Sequence, residues 1–155
     1  MLIMAVDDEF LALEDFEDTC REVGITDEIV KFNNPIEALG FVACNKVDIA
    51  FLDISMRGMG GLTLAETLLE MQPDCKIVFC TGYTEYAVDA FKIHVSGYLM
   101  KPITAQAVQK EIDHIKGQKA KERLLTVKCF GNFEAYANRE PLNFKSMISN
   151  IVIPK

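Results

Sequence analysis

Five short apolar runs punctuate the first hundred residues: LIMAV at Leu2–Val6, EIVKF at Glu28–Phe32, DIAFL at 48–52, KIVFC at 76–80 and GYLM at Gly97–Met100. Short runs of this kind, bounded by charged or turn-forming residues, read as buried strands. Helical patterns fill the gaps. Leu13, Phe16, Cys20 and Val23 recur at helical spacing and mark one face of a first helix. A second opens at NPIE, with Asn34 as cap, Pro35 at the first helical position and Glu37 completing a capping box. Leu64, Leu68 and Met71 mark a third, ended by Pro73. Thr84 starts a fourth that runs through Phe91, and Thr104 caps a fifth with Val108, Ile112 and Ile115 on one face. Strands that alternate with helices and are almost wholly apolar form a parallel sheet covered on both sides. The predicted fold is α/β, a doubly wound five-stranded sheet in the order 2-1-3-4-5.

The pattern changes after Gly117. GQKAKER is polar and basic, the end of the fifth helix or a linker, and LLTVKCFGNFEAYANREPLNF then alternates, with turn residues at Gly131-Asn132 and Asn138–Pro141. That alternation predicts a small antiparallel sheet, too short to be a complete domain. The expected organisation is one domain over 1–119 and a linker with a partial β-rich extension over 120–155.

Composition narrows the class. Half of the 155 residues are hydrophobic and a quarter are charged, an ordinary globular balance. No apolar run approaches the roughly 20 residues that span a bilayer, and MLIMAVDDEF lacks the basic start of a signal peptide, so a cytoplasmic protein without membrane partners is expected. The five cysteines show no CxxC spacing, and with only two histidines a zinc site is not indicated; reduced, mostly buried thiols are expected. Charge is uneven. Up to Lys116 there are 9 basic against 20 acidic residues, and from Gly117 onward 7 against 3. The acidic part argues against nucleic-acid binding by itself, whereas the basic tail leaves it open.

The residues that end the strands carry the chemistry. Asp7 and Asp8 follow the first strand, Asp53 the third, Thr81 the fourth and Lys101 the fifth. Ligands of open parallel sheets bind outside the carboxyl ends of the strands, so these five converge on one edge. Each has a plainer reading alone: Asp53 as a turn cap, Asp7 and Asp8 as charges favoured by a helix dipole, Thr81 as a β-branched strand residue, Lys101 as a solvated lysine. Together they place three carboxylates where a pair ~4 Å apart repels by roughly 4 kcal/mol at an effective dielectric near 20. Lys101 offsets part of this, and a divalent cation is the natural remedy. Magnesium suits a few carboxylates, several waters and a phosphate oxygen. A cation facing a carboxylate beside an ammonium and a hydroxyl is what phosphoryl transfer to that carboxylate requires.

AVDDE, FLDISM, CTG and YLMKPI, in this order and at these spacings, resemble the signature positions of the bacterial response regulator receiver domain, a flavodoxin-like fold, over 1–119. The resemblance implies that Asp53 accepts a phosphoryl group from a sensor histidine kinase, in a magnesium-dependent reaction, and loses it slowly. Such a protein is a self-phosphorylating switch rather than an enzyme. It also implies that Asp7, Asp8, Asp53 and the Ser55 carbonyl hold Mg2+, that Thr81 and Lys101 bind phosphoryl oxygens, and that Lys101-Pro102 is a cis peptide. Thr81 and Tyr98 would be the switch residues; an aromatic in a strand can equally be core. Phosphorylation would remodel the face of the fourth helix, fifth strand and fifth helix, and favour a homodimer. Two positions depart from the pattern: Arg57 stands where proline is usual, and Gly60 where Asp or Asn is common. Gly58, Gly60 and Gly61 read as turn glycines, and His94 and His114 as helix-surface residues.

VKCFGNFEAYANREPLNFK resembles the opening strands of a winged-helix module of bacterial transcriptional activators. No basic amphipathic helix follows, so DNA binding is expected only through a complete output domain absent from this chain. The leading expectation is a phosphorylation-switched regulator that controls transcription in its full-length context. A stand-alone receiver acting through protein contacts is the alternative. A magnesium-dependent aspartyl phosphatase would normally carry its nucleophile in a DxD pair after the first strand, and a flavin carrier would want a Ser/Thr/Gly-rich phosphate loop there instead of DDEFLALE.

Overall fold

The computed structural model describes residues 1–82, 93, 95–130, 132–137 and 140–141, from 119 onward as backbone alone. The chain divides into two compact units, Met1–Asp113 and His114–Lys155. Five strands build the first: β1 (Leu2–Val6), β2 (Glu28–Phe32), β3 (Ile49–Leu52), β4 (Lys76–Thr81) and β5 (Gly97–Met100), all parallel, in the order β2-β1-β3-β4-β5. This is the order the apolar runs predict.

Successive side chains of a strand point to opposite faces. Met4, Val6, Ala50, Leu52, Ile77 and Phe79 share one face, where they pack with Ala38 and Val42 of α2 (Pro35–Val42) and with Leu64, Ala65 and Leu68 of α3 (Gly61–Met71). Ile3, Ala5, Ile49, Phe51, Val78 and Cys80 are buried on the other. There Phe16 of α1 (Phe10–Glu22) meets Phe51 with ring centroids 4.7 Å apart. Leu13 and Cys20 of α1 are buried as their helical spacing predicts. Asn34 caps α2 by accepting a hydrogen bond from the Ile36 N–H at 2.9 Å, two residues on, not from Glu37 as in a capping box. Cys20, Cys75 and Cys80 are buried free thiols and Cys44 is exposed; burial, with the Glu17 charge adding, pushes the Cys20 thiol up to about 12.

The last helix runs over Ala105–Leu124, and its Val108, Ile112 and Ile115 are fully buried. It continues through GQKAKER, because Gln, Lys, Ala, Glu and Arg are all strong helix formers and outweigh one glycine. No linker separates it from β6 (Leu125–Phe130), which begins at the next residue. In the second unit, β6 pairs antiparallel with β7 (Asn132–Ala137), and β7 with β8 (Glu140–Pro141), from Leu125↔Ala137 to Phe130↔Asn132 and Ala137↔Glu140. The helix expected at 84–91 and His94 lie outside the described residues. Among the described residues, no helix is long and apolar enough to cross a membrane.

Candidate functional site

Parallel register places the site. Val6 pairs with Leu52, so Asp7 and Asp53 emerge side by side where the strand order reverses around β1. The Asp53 N–H donates to the Val6 carbonyl at 2.9 Å, and the Asp7 N–H to the Phe32 carbonyl at 3.2 Å. On the far side of β4, Thr81 pairs with Met100, and the Lys101 N–H donates to the Thr81 carbonyl at 3.0 Å. Lys101 is thus the first residue beyond β5, and its peptide bond to Pro102 is cis.

Three carboxylates and the lysine converge. Asp7 and Asp53 are each 6% exposed and Thr81 is fully buried. Lys101 Nζ lies 2.6 Å from Asp7 Oδ2 and 3.5 Å from Asp53 Oδ1. The other Asp7 oxygen accepts from the Glu9 N–H at 3.0 Å, just ahead of α1. Asp8 is half-buried, and its Oδ2 accepts from the Arg57 N–H at 3.1 Å. One carboxylate oxygen from each of Asp7, Asp8 and Asp53 lies within 4.8 Å of the others. Ser55 is exposed in the loop that follows Asp53. Tyr98 is half-buried against the main core, its ring edge-on to Phe79 at 6.4 Å.

Burial pushes the Asp53 carboxyl above the ordinary aspartate value; the Lys101 charge opposes the shift and the Asp7 charge adds to it. For Lys101, burial alone would lower the ammonium, but the bond to Asp7 and the charges of Asp7 and Asp53 outweigh it and hold the lysine above its ordinary value. The lysine therefore stays protonated near neutral pH and serves two carboxylates at once.

The three loop glycines have different roles. Gly58 adopts φ +79, the left-handed region that favours glycine. At Gly61 a Cβ would lie 2.0 Å from the Asp53 carbonyl oxygen, so the first turn of α3 presses on the backbone of Asp53 itself. Gly60 only caps α3, at φ -69, and offers no side-chain bond. A turn glycine is all that residue type indicates at each position, and the close approach at Gly61 emerges only in the fold. The Arg57 bond to Asp8 and the nearer contact of Lys101 with Asp7 likewise emerge only in the fold. The Arg57 position was visible as a departure from the proline pattern; the other two carry no signal in one sequence.

Residues 3–113 match the family model of the response regulator receiver domain. The chain belongs to that family. The receiver is 29% identical over 144 residues to the transcriptional regulatory protein LytR of Staphylococcus aureus, covering 93% of this chain and 56% of the relative. A match of that length runs beyond residue 113 and takes in part of the tail. An uncharacterized response regulatory protein of Shewanella oneidensis is 36% identical over 115 residues, 73% of this chain and 48% of its own. The chain spans about half the length of these curated relatives. Among solved structures, the response regulatory domain of protein mrkE from Klebsiella pneumoniae is 30% identical with a TM-score of 0.71, over 78% of this chain and 99% of that one. The response regulator TrrA of Thermotoga maritima, solved in complex with Mg(2+)-BeF, is 28% identical with a TM-score of 0.67, over 74% and 97%.

Proposed function

We propose that Asp53 is the phospho-acceptor of a magnesium-dependent switch. The observation that carries this reading is the placement of a carboxylate 6% exposed within 3.5 Å of an ammonium, in a cluster of three converging carboxylates. An Asp53 oxygen attacks the phosphorus of a donor in line with its leaving group, which departs with the bonding pair and leaves an acyl phosphate. Lys101 turns from Asp7 and Asp53 to a phosphoryl oxygen, and the Thr81 hydroxyl donates to another. The raised proton affinity of Asp53 makes the carboxylate a better nucleophile where it is ionised.

The donor set fits magnesium. Asp7, Asp8 and Asp53 offer only hard oxygens, close enough for one ion, and the Ser55 carbonyl is the expected fourth protein ligand. Bound there, the ion would neutralise charge on the phosphoryl oxygens and the carboxylates together.

Family membership and the LytR likeness support the rest of the reading. A sensor histidine kinase donates the phosphoryl group in the cytoplasm. The group's charge of roughly −2 and its three acceptor oxygens draw Thr81 and Lys101 inward. Tyr98 then repacks beside Phe79, and the surface around β5 favours a second receiver. Transcription is controlled through an output domain of which 120–155 is the opening part, resembling a winged-helix module.

Incubation with magnesium and acetyl phosphate, followed by intact mass, tests the assignment. One phosphoryl group should be added and held, and none in Asp53→Asn. Continuous turnover of donor without a held group would favour a phosphatase, and labelling of the variant would remove Asp53 from the role.

A further inference from the structure

The Arg57 position carries an inference that rests on the magnesium reading above. Two contacts converge on a single oxygen: Asp8 Oδ2 accepts the Arg57 backbone N–H at 3.1 Å, and the Arg57 Nε lies 3.9 Å from the same atom. The guanidinium is otherwise in solvent, its side chain 99% exposed, so packing does not hold it there. A proline, the residue usual at this position in the resemblance above, could supply neither contact, because it has no N–H and no charge.

Asp8 is one of the three carboxylates that converge on the cation position. Hydrogen bonds to an ionised oxygen are among the stronger ones. Magnesium demands near-ideal octahedral geometry, so the Asp8 carboxylate, with one oxygen already bonded to the Arg57 N–H, must reorient, share that oxygen or turn its other one before it can serve. A guanidinium beside that ligand also repels a dication, though solvent and salt screen the effect.

We propose that Arg57 is a built-in competitor for Asp8. It satisfies this carboxylate in the metal-free receiver and raises the magnesium concentration needed to load the site. Arg57 is a positioning residue, not a catalytic one, and it sets a threshold for the cation that receivers with proline at this position lack.

Magnesium titrations of the full chain by calorimetry, without any phosphodonor, separate the two contacts. Arg57→Gln keeps the N–H and removes the charge, and should tighten binding roughly threefold at low salt, with the gain fading as salt rises. Arg57→Pro removes both contacts and should tighten it further, to roughly tenfold. Arg57→Lys, which keeps both the N–H and a positive charge, should stay near wild type. The Arg57 amide resonance gives a second readout: it should move on magnesium addition as its bond to Asp8 breaks. Equal or weaker binding in Arg57→Gln, together with a static Arg57 amide, would overturn the competition. Absence of magnesium binding by the wild-type chain would instead overturn the metal site itself.

Discussion

The two edges of one parallel sheet are built on opposite principles. At the amino edge, Gln72 closes the loops around β3 and β4: its amide donates to the Val42 and Asn45 carbonyls at 2.9 and 2.7 Å and accepts from the Val47 N–H at 2.9 Å. Nearby, the Asp48 carboxylate accepts from the Leu2 N–H at 2.9 Å. Polar groups there are matched donor to acceptor, with a neutral amide at the centre. At the carboxyl edge three carboxylates face one lysine and an exposed arginine, and burial raises the proton affinity of Asp53. Satisfied networks rigidify a fold, whereas functional sites retain groups that are costly to keep charged. One edge is built from matched neutral partners; the other holds three carboxylates together although burial disfavours the charge on Asp53.

Substitutions can break this contrast, and the largest effect is expected at Gly61. Gly61→Ala would drive a methyl into the Asp53 carbonyl, 2.0 Å away on a backbone that cannot swing aside. A loss of about 3 kcal/mol in urea unfolding is expected, with phosphorylation slowed because Asp53 itself is displaced. Wild-type stability would refute the close approach. Next is Gln72→Ala, which removes the partners of the part-buried Val42 carbonyl and Val47 N–H at the amino edge and should cost about 1 kcal/mol while leaving acetyl phosphate labelling unchanged. A labelling defect in this variant would show that the two edges are not independent. The smallest effect is expected on the surface. Lys31 pairs with Glu14 and Glu17 between β2 and α1, in partly exposed positions, so Lys31→Gln should cost about 0.5 kcal/mol or less, and less still in high salt.

The contrast also explains what one sequence can reveal. The five strands were legible because each is a short apolar run between charged or turn residues, and a parallel sheet buried on both faces needs no finer pattern. The family was legible in the motifs AVDDE, FLDISM, CTG and YLMKPI, and the meeting of Asp7, Asp8, Asp53 and Lys101 in the strand ends, since parallel topology brings strand ends together whatever the loops do. Which carboxylate the lysine touches first was not legible. The 2.6 Å contact to Asp7, against 3.5 Å to Asp53, depends on how β5 ends and on backbone angles that residue types do not encode. Gln72 was equally silent, because a glutamine before a proline has no distinguishing pattern until two loops close around it. The run GQKAKER left helix end and linker both open; propensity favours the helix, which runs to Leu124.

Asp53 opposes the fold that holds it, because burial disfavours its charged form. A carboxyl whose folded-state pKa is raised contributes its stability fully below the unfolded value and loses it as pH rises through the folded value. Ionising Asp53 therefore weakens the receiver. The decisive measurement is the unfolding free energy of wild type and Asp53→Asn from acid to neutral pH, with a chelator present so that no cation relieves the cluster. The variant should be more stable by about 1 kcal/mol at neutral pH, and the gap should close as pH falls below the ordinary aspartate range. A variant less stable than wild type at neutral pH, or a gap that does not change with pH, would contradict the account.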